Sequence, residues 1–163
     1  MITIQEAYEY TDEIRVLFTE YTQMLVEADD RFRDYLALQH YDEEYLHPAQ
    51  KYRKPEGRLY IVLDGAYPAG CIGFRKLDEN SCEMKRLYVR KAYRRQGIAK
   101  KLVEMILKDA EEAGYREMYL DTLPQLKDAI RLYEHSGFEI TERYNDSPLD
   151  TTIFMKKKLG QPW

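Results

Sequence analysis

The sequence predicts a mixed α/β domain, and three observations support this prediction. Three segments, starting near Thr11, Gly97 and Leu126, repeat apolar residues at helical spacing. Short runs rich in β-branched and aromatic residues, bounded by Gly, Asp and Asn, are typical of strands. Between residues 82 and 120 a predicted strand, a helix and a second strand follow one another, which favours a parallel crossover. These patterns indicate a sheet with helices packed against it.

Length, charge and hydropathy narrow the class of protein. A chain of 163 residues with net charge −4 is expected to fold as one domain, residues 1–163, with 159–163 as a tail. The mild acidity and the lack of an aromatic–basic repeat argue against a nucleic-acid partner. No apolar run approaches the roughly 20 residues of a membrane span, and residues 1–10 lack a signal-peptide pattern. No membrane association is therefore expected.

The cysteines and histidines indicate neither a disulfide framework nor a metal site. Cys71 and Cys82 lie in predicted strands and have no metal-ligand spacing. The histidines, at positions 40, 47 and 135, show no ligand spacing either. The sequence therefore predicts a cytoplasmic protein that holds no metal.

The first half of the chain is predicted to contain three strands and two helices. Ile2–Glu6 is a short strand, and Thr11 is the expected N-cap of a helix with an acidic first turn. The apolar residues of this helix at helical spacing are Ile14, Leu17, Phe18, Tyr21, Met24, Leu25 and Ala28. A shorter helix is expected at Arg31–Gln39, and no element is assigned to residues 40–57. Two strands, separated by a turn, are expected at Leu59–Leu63 and Ala69–Leu77.

The strand predicted at Cys82–Arg90 contains a break in its alternation. Its apolar residues begin on even positions and end on odd ones: Cys82, Met84, Leu87 and Val89. Because side chains of a regular strand alternate strictly, this slip indicates a β-bulge near Lys85 or Arg86. The alternative is a strand buried on both faces, where alternation carries no information.

Glycines mark the ends of the later elements. A helix starts after Gly97 and is closed by Gly114, and a strand follows at Tyr115–Leu120. The next helix carries Tyr133 on its apolar face and ends just before Gly137. Closing strands are expected at Phe138–Ile140 and Thr151–Lys158.

Basic residues gather around the predicted start of the helix after Gly97. Between Glu83 and Glu104 there is no acidic residue, but there are eight bases: Lys85, Arg86, Arg90, Lys91, Arg94, Arg95, Lys100 and Lys101. A helix N-terminus exposes unpaired N–H groups and a partial positive charge, which suit a phosphate. The small residues Gly97 and Ala99 let an anion approach the backbone. This turn is therefore the predicted ligand site, although solvated surface charge is an alternative for the basic side chains.

Three motifs in the second half of the chain occur in a characteristic order. They are the strand Glu83–Val89, the turn Arg94-x-x-Gly97-x-Ala99, and the helix Ala129–Tyr133 followed by Gly137 and Phe138. With these motifs the chain resembles the GNAT superfamily of acyl-CoA-dependent N-acetyltransferases, and the strand resembles that of a large bacterial branch. The resemblance implies a twisted, mixed, mostly antiparallel sheet of about seven strands. It also implies helices on both faces and two parallel strands that splay apart.

The resemblance implies a co-substrate as well, acetyl-CoA, bound in the opening between the splayed strands. The backbone of Leu87, Tyr88 and Val89 would pair with its pantetheine arm. The turn would hold its pyrophosphate through Arg94, Arg95, Gln96, Gly97, Ile98, Ala99 and Lys100. Leu126 stands where family members often carry Asn, so one side-chain contact to the cofactor is expected to be missing.

Two residues are predicted to take part in catalysis. By resemblance, Glu83 is the general base that takes a proton from the amine, directly or through a water. Tyr133 is the general acid for the departing thiolate, because a phenol stays protonated at neutral pH. The alternatives are an ion-paired strand glutamate and a core tyrosine. Asp121, after a predicted strand, is expected to cap the next turn rather than to touch substrate.

The predicted activity is acetyl transfer from acetyl-CoA to a primary amine of a small molecule or peptide, by direct attack in a ternary complex. The alternative is a non-catalytic module that binds or senses acyl-CoA. Seven acids between Glu27 and Glu44 either attract a cationic amine or form a solvated helix face. A homodimer is left open.

Overall fold

One mixed sheet forms the centre of the protein. The computed structural model describes residues 1–160, and its seven strands pair in the order β1-β2-β3-β4-β5-β7-β6. The strands are β1 (Ile2–Glu6), β2 (Arg58–Asp64), β3 (Tyr67–Lys76), β4 (Ser81–Val89), β5 (Glu117–Thr122), β6 (Glu139–Ile140) and β7 (Ile153–Lys158). Strands β4 and β5 run parallel, and the other described neighbours are antiparallel. The predicted mixed sheet with one parallel pair is confirmed.

Helices cover both faces of this sheet. They are α1 (Thr11–Ala28), α2 (Phe32–Leu38), α3 (Tyr41–Leu46), α4 (Pro48–Lys51), α5 (Ile98–Glu112) and α6 (Lys127–His135), with a 3-10 turn at Lys91–Tyr93. Neighbouring residues of β2 belong to different cores, since Val62 packs in the cluster of Leu102 from α5, and Ile61 packs in that of Leu17 from α1. Because successive strand residues point to opposite faces, α1 and α5 lie on opposite sides of the sheet. None of the helices in residues 1–160 has both the length and the apolar character needed to cross a bilayer.

Several predicted boundaries need correction. Thr11 is the first residue of α1 rather than its N-cap, and the capping residue Tyr10 makes no side-chain cap hydrogen bond. Residues 40–57 contain the short helices α3 and α4, which no apolar periodicity in the sequence predicted. Leu159 is buried and its N–H donates to the Arg116 carbonyl (2.8 Å), so the predicted tail does not begin there. Residues 161–163 of that tail lie outside the described part of the chain.

The bulge expected in β4 is present. Cys71 of β3 pairs with Tyr88, and Gly73 pairs with Lys85. Two residues of β4, Arg86 and Leu87, therefore lie opposite one residue of β3. Arg86, inside this step, has φ of +62°, a left-handed conformation that costs a non-glycine residue energy. The break in sequence alternation therefore marks a real backbone irregularity.

The parallel pair separates beyond its first three residues. Pairing between β4 and β5 ends at Glu83 and Tyr119. Strand β4 continues along β3 to Val89, and β5 continues along β7 to Thr122. The two strands therefore leave an opening between them, and the bulge lies on its edge.

Candidate active site

A large cavity occupies the opening between β4 and β5. Its volume is about 900 Å³. The predicted site residues that line it are Leu87, Tyr88, Val89, Arg94, Arg95, Gly97, Ile98, Ala99, Lys100 and Tyr133. Gln96 and Glu83 were also predicted for the site, but they do not line the cavity. Residues that are distant in sequence thus meet around one space.

The first turn of α5 forms one end of this cavity. Gly97 precedes the helix with φ of +77°, and no side chain caps the helix by a hydrogen bond. The first intrahelical N–H bond runs from Lys101 to the Gly97 carbonyl (3.1 Å), so the amides of residues 98–100 precede the helical ladder. A Cβ built on Gly97 meets nothing within 4 Å. This end therefore combines donor amides, open space and the cavity-lining bases Lys91, Arg94, Arg95 and Lys100.

The second half of β4 forms the wall beside that turn. Leu87, Tyr88 and Val89 all line the cavity. The Val89 carbonyl already accepts a hydrogen bond from Arg94 Nε (2.8 Å), which ties the turn to the strand. The backbone on either side of Leu87 is displaced by the bulge, because the β3 register skips this residue. The strand thus offers a backbone edge that the ladder to β3 does not fully use.

Tyr133 lies on α6 at the same cavity. It is buried, and its ring packs edge-on against Phe138 (centroids 6.0 Å apart). Its hydroxyl makes no hydrogen bond within residues 1–160 and is not among the fully enclosed polar atoms. Burial raises the pKa of Tyr133 well above its usual value, and the nearby Tyr21 and Asp121 raise it further. The phenol is therefore a protonated donor with a free hydroxyl on the cavity wall.

The comparisons with known proteins agree with this geometry. A family model described as "Acetyltransferase (GNAT) family" matches residues 14–138. The chain belongs to the GNAT acetyltransferase family. It is 34% identical over 152 residues to an uncharacterized N-acetyltransferase of Schizosaccharomyces pombe, and the match covers 92% of this chain and 89% of the relative. Like its relatives, it is an N-acetyltransferase of this family.

Solved structures show the same fold. A GNAT acetyltransferase from Staphylococcus aureus Mu50 superposes with a TM-score of 0.76 at 22% identity, covering 98% of this chain and 99% of the other. The PaiA N-acetyltransferase of Thermoplasma acidophilum, solved in complex with coenzyme A, superposes with a TM-score of 0.73 at 18% identity, covering 97% and 99%. These likenesses establish the architecture of the GNAT chain.

Glu83 of this acetyltransferase is buried and does not line the cavity. Its carboxylate is almost fully buried and accepts hydrogen bonds from Arg75 Nε (3.0 Å) and the Tyr144 hydroxyl (2.6 Å). Lys85 Nζ lies 3.8 Å away. Burial by itself would raise the pKa of Glu83, but the charges of Lys85 and Arg75 and the Tyr144 hydrogen bond outweigh it and hold this pKa below its usual value. The carboxylate is thus an occupied ion-pair partner.

Asp121 of the acetyltransferase reaches the cavity from the end of β5. The expectation that it caps a turn is wrong, because it is a strand residue paired with Phe154. Its Oδ2 accepts hydrogen bonds from the Tyr35 hydroxyl and from Asn145 Nδ2 (2.7 Å). The sequence reasoning missed Tyr35 and Asn145 because they lie 86 and 24 residues away. The position of Asp121 at the carboxyl end of a parallel strand was the available signal.

The bulge residue Arg86 forms a buried ion pair with Glu44 of α3. Arg86 donates from Nε to Glu44 Oε2 (2.6 Å) and from Nη2 to Glu44 Oε1 (2.8 Å). Arg86 Nη2 and Lys85 Nζ each donate to Gln39 Oε1 (2.9 Å). Both Arg86 and Gln39 line the cavity. Glu44 is one of the seven acids of the segment from Glu27 to Glu44. It is therefore a buried ion-pair partner and not part of an acidic surface of the acetyltransferase.

Proposed function

We propose that this protein transfers the acetyl group of acetyl-CoA to a primary amine of a small molecule or peptide, by direct attack in a ternary complex. The observation that carries the proposal is the cavity that the uncapped N-terminus of α5 and Tyr133 both line. The coenzyme A complex of the Thermoplasma acidophilum relative supports acetyl-CoA as the co-substrate. Membership in a family of enzymes favours catalysis over a non-catalytic acyl-CoA-binding module.

The residues present fit a diphosphate and an extended arm. The amides of residues 98–100 and the helix dipole would hold the pyrophosphate, with Arg94, Arg95 and Lys100 adding positive charge. Gln96 does not line the cavity, so it would contribute only through its backbone N–H. The edge of Leu87–Val89 would pair with the pantetheine arm, except at the Val89 carbonyl, which Arg94 occupies.

When bound, acetyl-CoA supplies an acetyl group activated as a thioester. The protein's part is to place charge and protons around that group. The amide N–H of Leu87, beside the bulge, stabilises negative charge on the carbonyl oxygen. The Tyr133 hydroxyl would donate a hydrogen bond to the sulfur, and then its proton, as the C–S bond breaks and negative charge develops there. Because a thiol is a stronger acid than this phenol of raised pKa, the phenolate would at once take a proton back from water.

The amine must lose a proton before it attacks, because an alkyl ammonium has a pKa near 10.4. Glu83 remains the predicted base. Since its carboxylate does not line the cavity and is hydrogen-bonded to Arg75 and Tyr144, this role requires a relay through water.

A charge placed at the α5 N-terminus tests cofactor binding. Gly97→Glu puts a carboxylate where the phosphates are expected, and we expect acetyl-CoA affinity to fall at least about tenfold in calorimetry. Gly114→Glu is the matched control at the other end of the same helix. Gly114 also has positive φ (+97°) and open space around its Cβ, so both variants carry similar backbone strain.

Calorimetry measures acetyl-CoA binding, and thiol release measures turnover, so the two are tested separately. Unchanged affinity in Gly97→Glu, with the fold retained by circular dichroism, would place the cofactor elsewhere and overturn the proposal. Thiol release from acetyl-CoA that depends on an added amine would establish the enzyme. Binding without release for any amine would instead favour the acyl-CoA-sensing module.

A further inference from the structure

Arg86 presents an unused donor to the cavity. Its Nε and Nη2 are committed to Glu44 and Gln39, whereas Nη1 makes no hydrogen bond within residues 1–160. The Arg86 side chain is only 3% exposed. Its Nη1 has no partner but is not fully enclosed by protein atoms. Arg86 lines the cavity, and Nη1 is the guanidinium nitrogen that no protein group satisfies. A buried guanidinium edge of this kind suits a carboxylate.

Gln39 supplies a second unused donor beside the first. Its Oε1 accepts from two cations, Lys85 and Arg86, which fixes the orientation of the amide. Its Nε2 then has no partner within the described chain, and the residue lines the cavity. An amide N–H₂ next to a guanidinium strengthens the preference for an anionic, oxygen-bearing group.

Asp121 supplies the opposite charge. Both of its hydrogen bonds, from Tyr35 and Asn145, end on Oδ2. Its Oδ1 has no partner among residues 1–160, and no cation of the protein forms an ion pair with it there. The charge of Lys85 also acts on Asp121, but from beyond ion-pair distance. A cavity-lining carboxylate oxygen that no protein group bonds suits an ammonium group.

The two charges belong to one cavity wall, since Arg86, Asp121 and Tyr21 all line the same cavity. Arg86 and Asp121 both act on the hydroxyl of Tyr21, whose ring lies 6.0 Å from the guanidinium. Burial raises the pKa of Tyr21 to about 12, with Arg86 opposing this shift and Asp121 adding to it. Asp121 also acts on Tyr133, the predicted general acid. The donor pair and the acceptor therefore line the same cavity as Tyr133, the predicted general acid.

We propose that the acceptor is an α-amino carboxylate, a free amino acid, whose carboxylate binds Arg86 and Gln39 and whose ammonium binds Asp121. This inference rests on the proposed function and names the class of its acceptor. Tyr21, Phe32 and Tyr35 line the same cavity and form an aromatic wall for an apolar side chain. A peptide N-terminus lacks the adjacent carboxylate and would leave the Arg86 edge unpaired.

Substrate analogues test the carboxylate contact without altering the protein. The probes are the 20 protein amino acids, each beside its α-carboxamide, together with 2-phenylethylamine as the decarboxylated partner of phenylalanine. We expect thiol release from acetyl-CoA with at least one amino acid, and a kcat/KM at least about tenfold lower for its amide or amine. Equal or better use of the amides and the amine would overturn the inference.

Asp121→Asn tests the ammonium contact in the protein. The amide oxygen keeps the hydrogen bonds from Tyr35 and Asn145, and its N–H₂ replaces Oδ1 as a donor. We expect KM for the preferred amino acid to rise at least about tenfold, with acetyl-CoA affinity unchanged. Asp150→Asn, an exposed aspartate paired only with Arg31, is the control. An unchanged KM in Asp121→Asn would contradict the assignment.

Failure of this inference is distinguishable from failure of the proposed function. If acetyl-CoA binds and simple amines are acetylated but amino acids are not, the acceptor assignment is wrong and the acetyltransferase stands. If acetyl-CoA does not bind, thermal shifts with the same probes still report on the acceptor site. Stabilisation by amino acids and not by their amides supports the inference, and no stabilisation by any amino acid overturns it.

Discussion

Arg86 and Glu44 form a two-pronged ion pair between β4 and α3, and both side chains are almost completely buried (3% and 1% exposed). Arg86 occupies the β-bulge with positive φ, so the pair holds a strained strand residue against a helix 42 positions earlier in the chain. The same bulge displaces Leu87, the proposed donor to the carbonyl oxygen. The ion pair thus connects the acceptor side of the cavity to its cofactor side.

Breaking this pair is expected to destabilise the protein strongly. Glu44→Gln leaves a buried guanidinium without a counter-charge, and we expect the free energy of unfolding to fall by about 3–5 kcal/mol. Urea unfolding measures it. Asp128→Asn removes the partner of Arg131 in an exposed pair and should change little. Equal effects of the two variants would contradict the structural role of the buried pair.

Acid is expected to weaken the fold through the same carboxylate. Burial alone would raise the pKa of Glu44, but Arg86 and Lys51 outweigh it and hold this pKa far below its usual value. Because the folded pKa lies below the unfolded one, the stabilisation is complete above about pH 4.3 and is lost as pH falls toward the folded pKa. Glu83 contributes with the same sign.

Urea unfolding at about pH 7, 5 and 3.5 measures this dependence. The wild type should lose stability below about pH 4.3, and Glu44→Gln should show a shallower loss, since one titrating group is gone. A stability of the wild type that is unchanged or higher at the acid end would contradict the assigned direction of the shift.

The sequence predicts the residues at the cofactor end of the site far better than those at the acceptor end. The cofactor end depends on local sequence features. The break in alternation predicts the bulge at Arg86, and Gly97 marks the start of α5. The acceptor end depends on contacts between distant residues, such as Tyr35 with Asp121 and Glu44 with Arg86. No local pattern specifies which buried side chains meet, because tertiary packing decides it.

The same limit explains the misplaced elements. The short helices α3 and α4 have four to six residues each, too few for a helical repeat of apolar positions. Strand β5 starts two residues later than expected, because the N–H of Tyr115 donates to the Ala110 carbonyl (3.1 Å) at the end of α5 and not to a neighbouring strand. The cytoplasmic location, the lack of a metal and of a nucleic-acid partner, and a homodimer stay predictions.

Substitution of Glu83 separates its two predicted roles. Glu83→Gln removes the counter-charge of Lys85 and Arg75 while keeping the side-chain shape. Because the carboxylate is buried and paired, we expect the free energy of unfolding to fall by at least about 1 kcal/mol. Glu117→Gln, at a partly exposed strand glutamate paired with Lys156, is the matched control. A base acting through water would also show as a loss of the acidic limb in the pH dependence of kcat/KM, and an unchanged limb would remove Glu83 from the mechanism.

Removal of the Tyr133 hydroxyl tests the general acid. Tyr133→Phe keeps the ring against Phe138, so we expect the fold and acetyl-CoA affinity to persist and kcat to fall about 100-fold. The raised pKa of Tyr133 keeps the phenol protonated through the alkaline range, so the wild-type rate should not decline near pH 10 on account of this group. Tyr67→Phe, at an exposed tyrosine away from the cavity, is the control. A kcat for Tyr133→Phe equal to that of this control would show that another group, or water, protonates the departing sulfur.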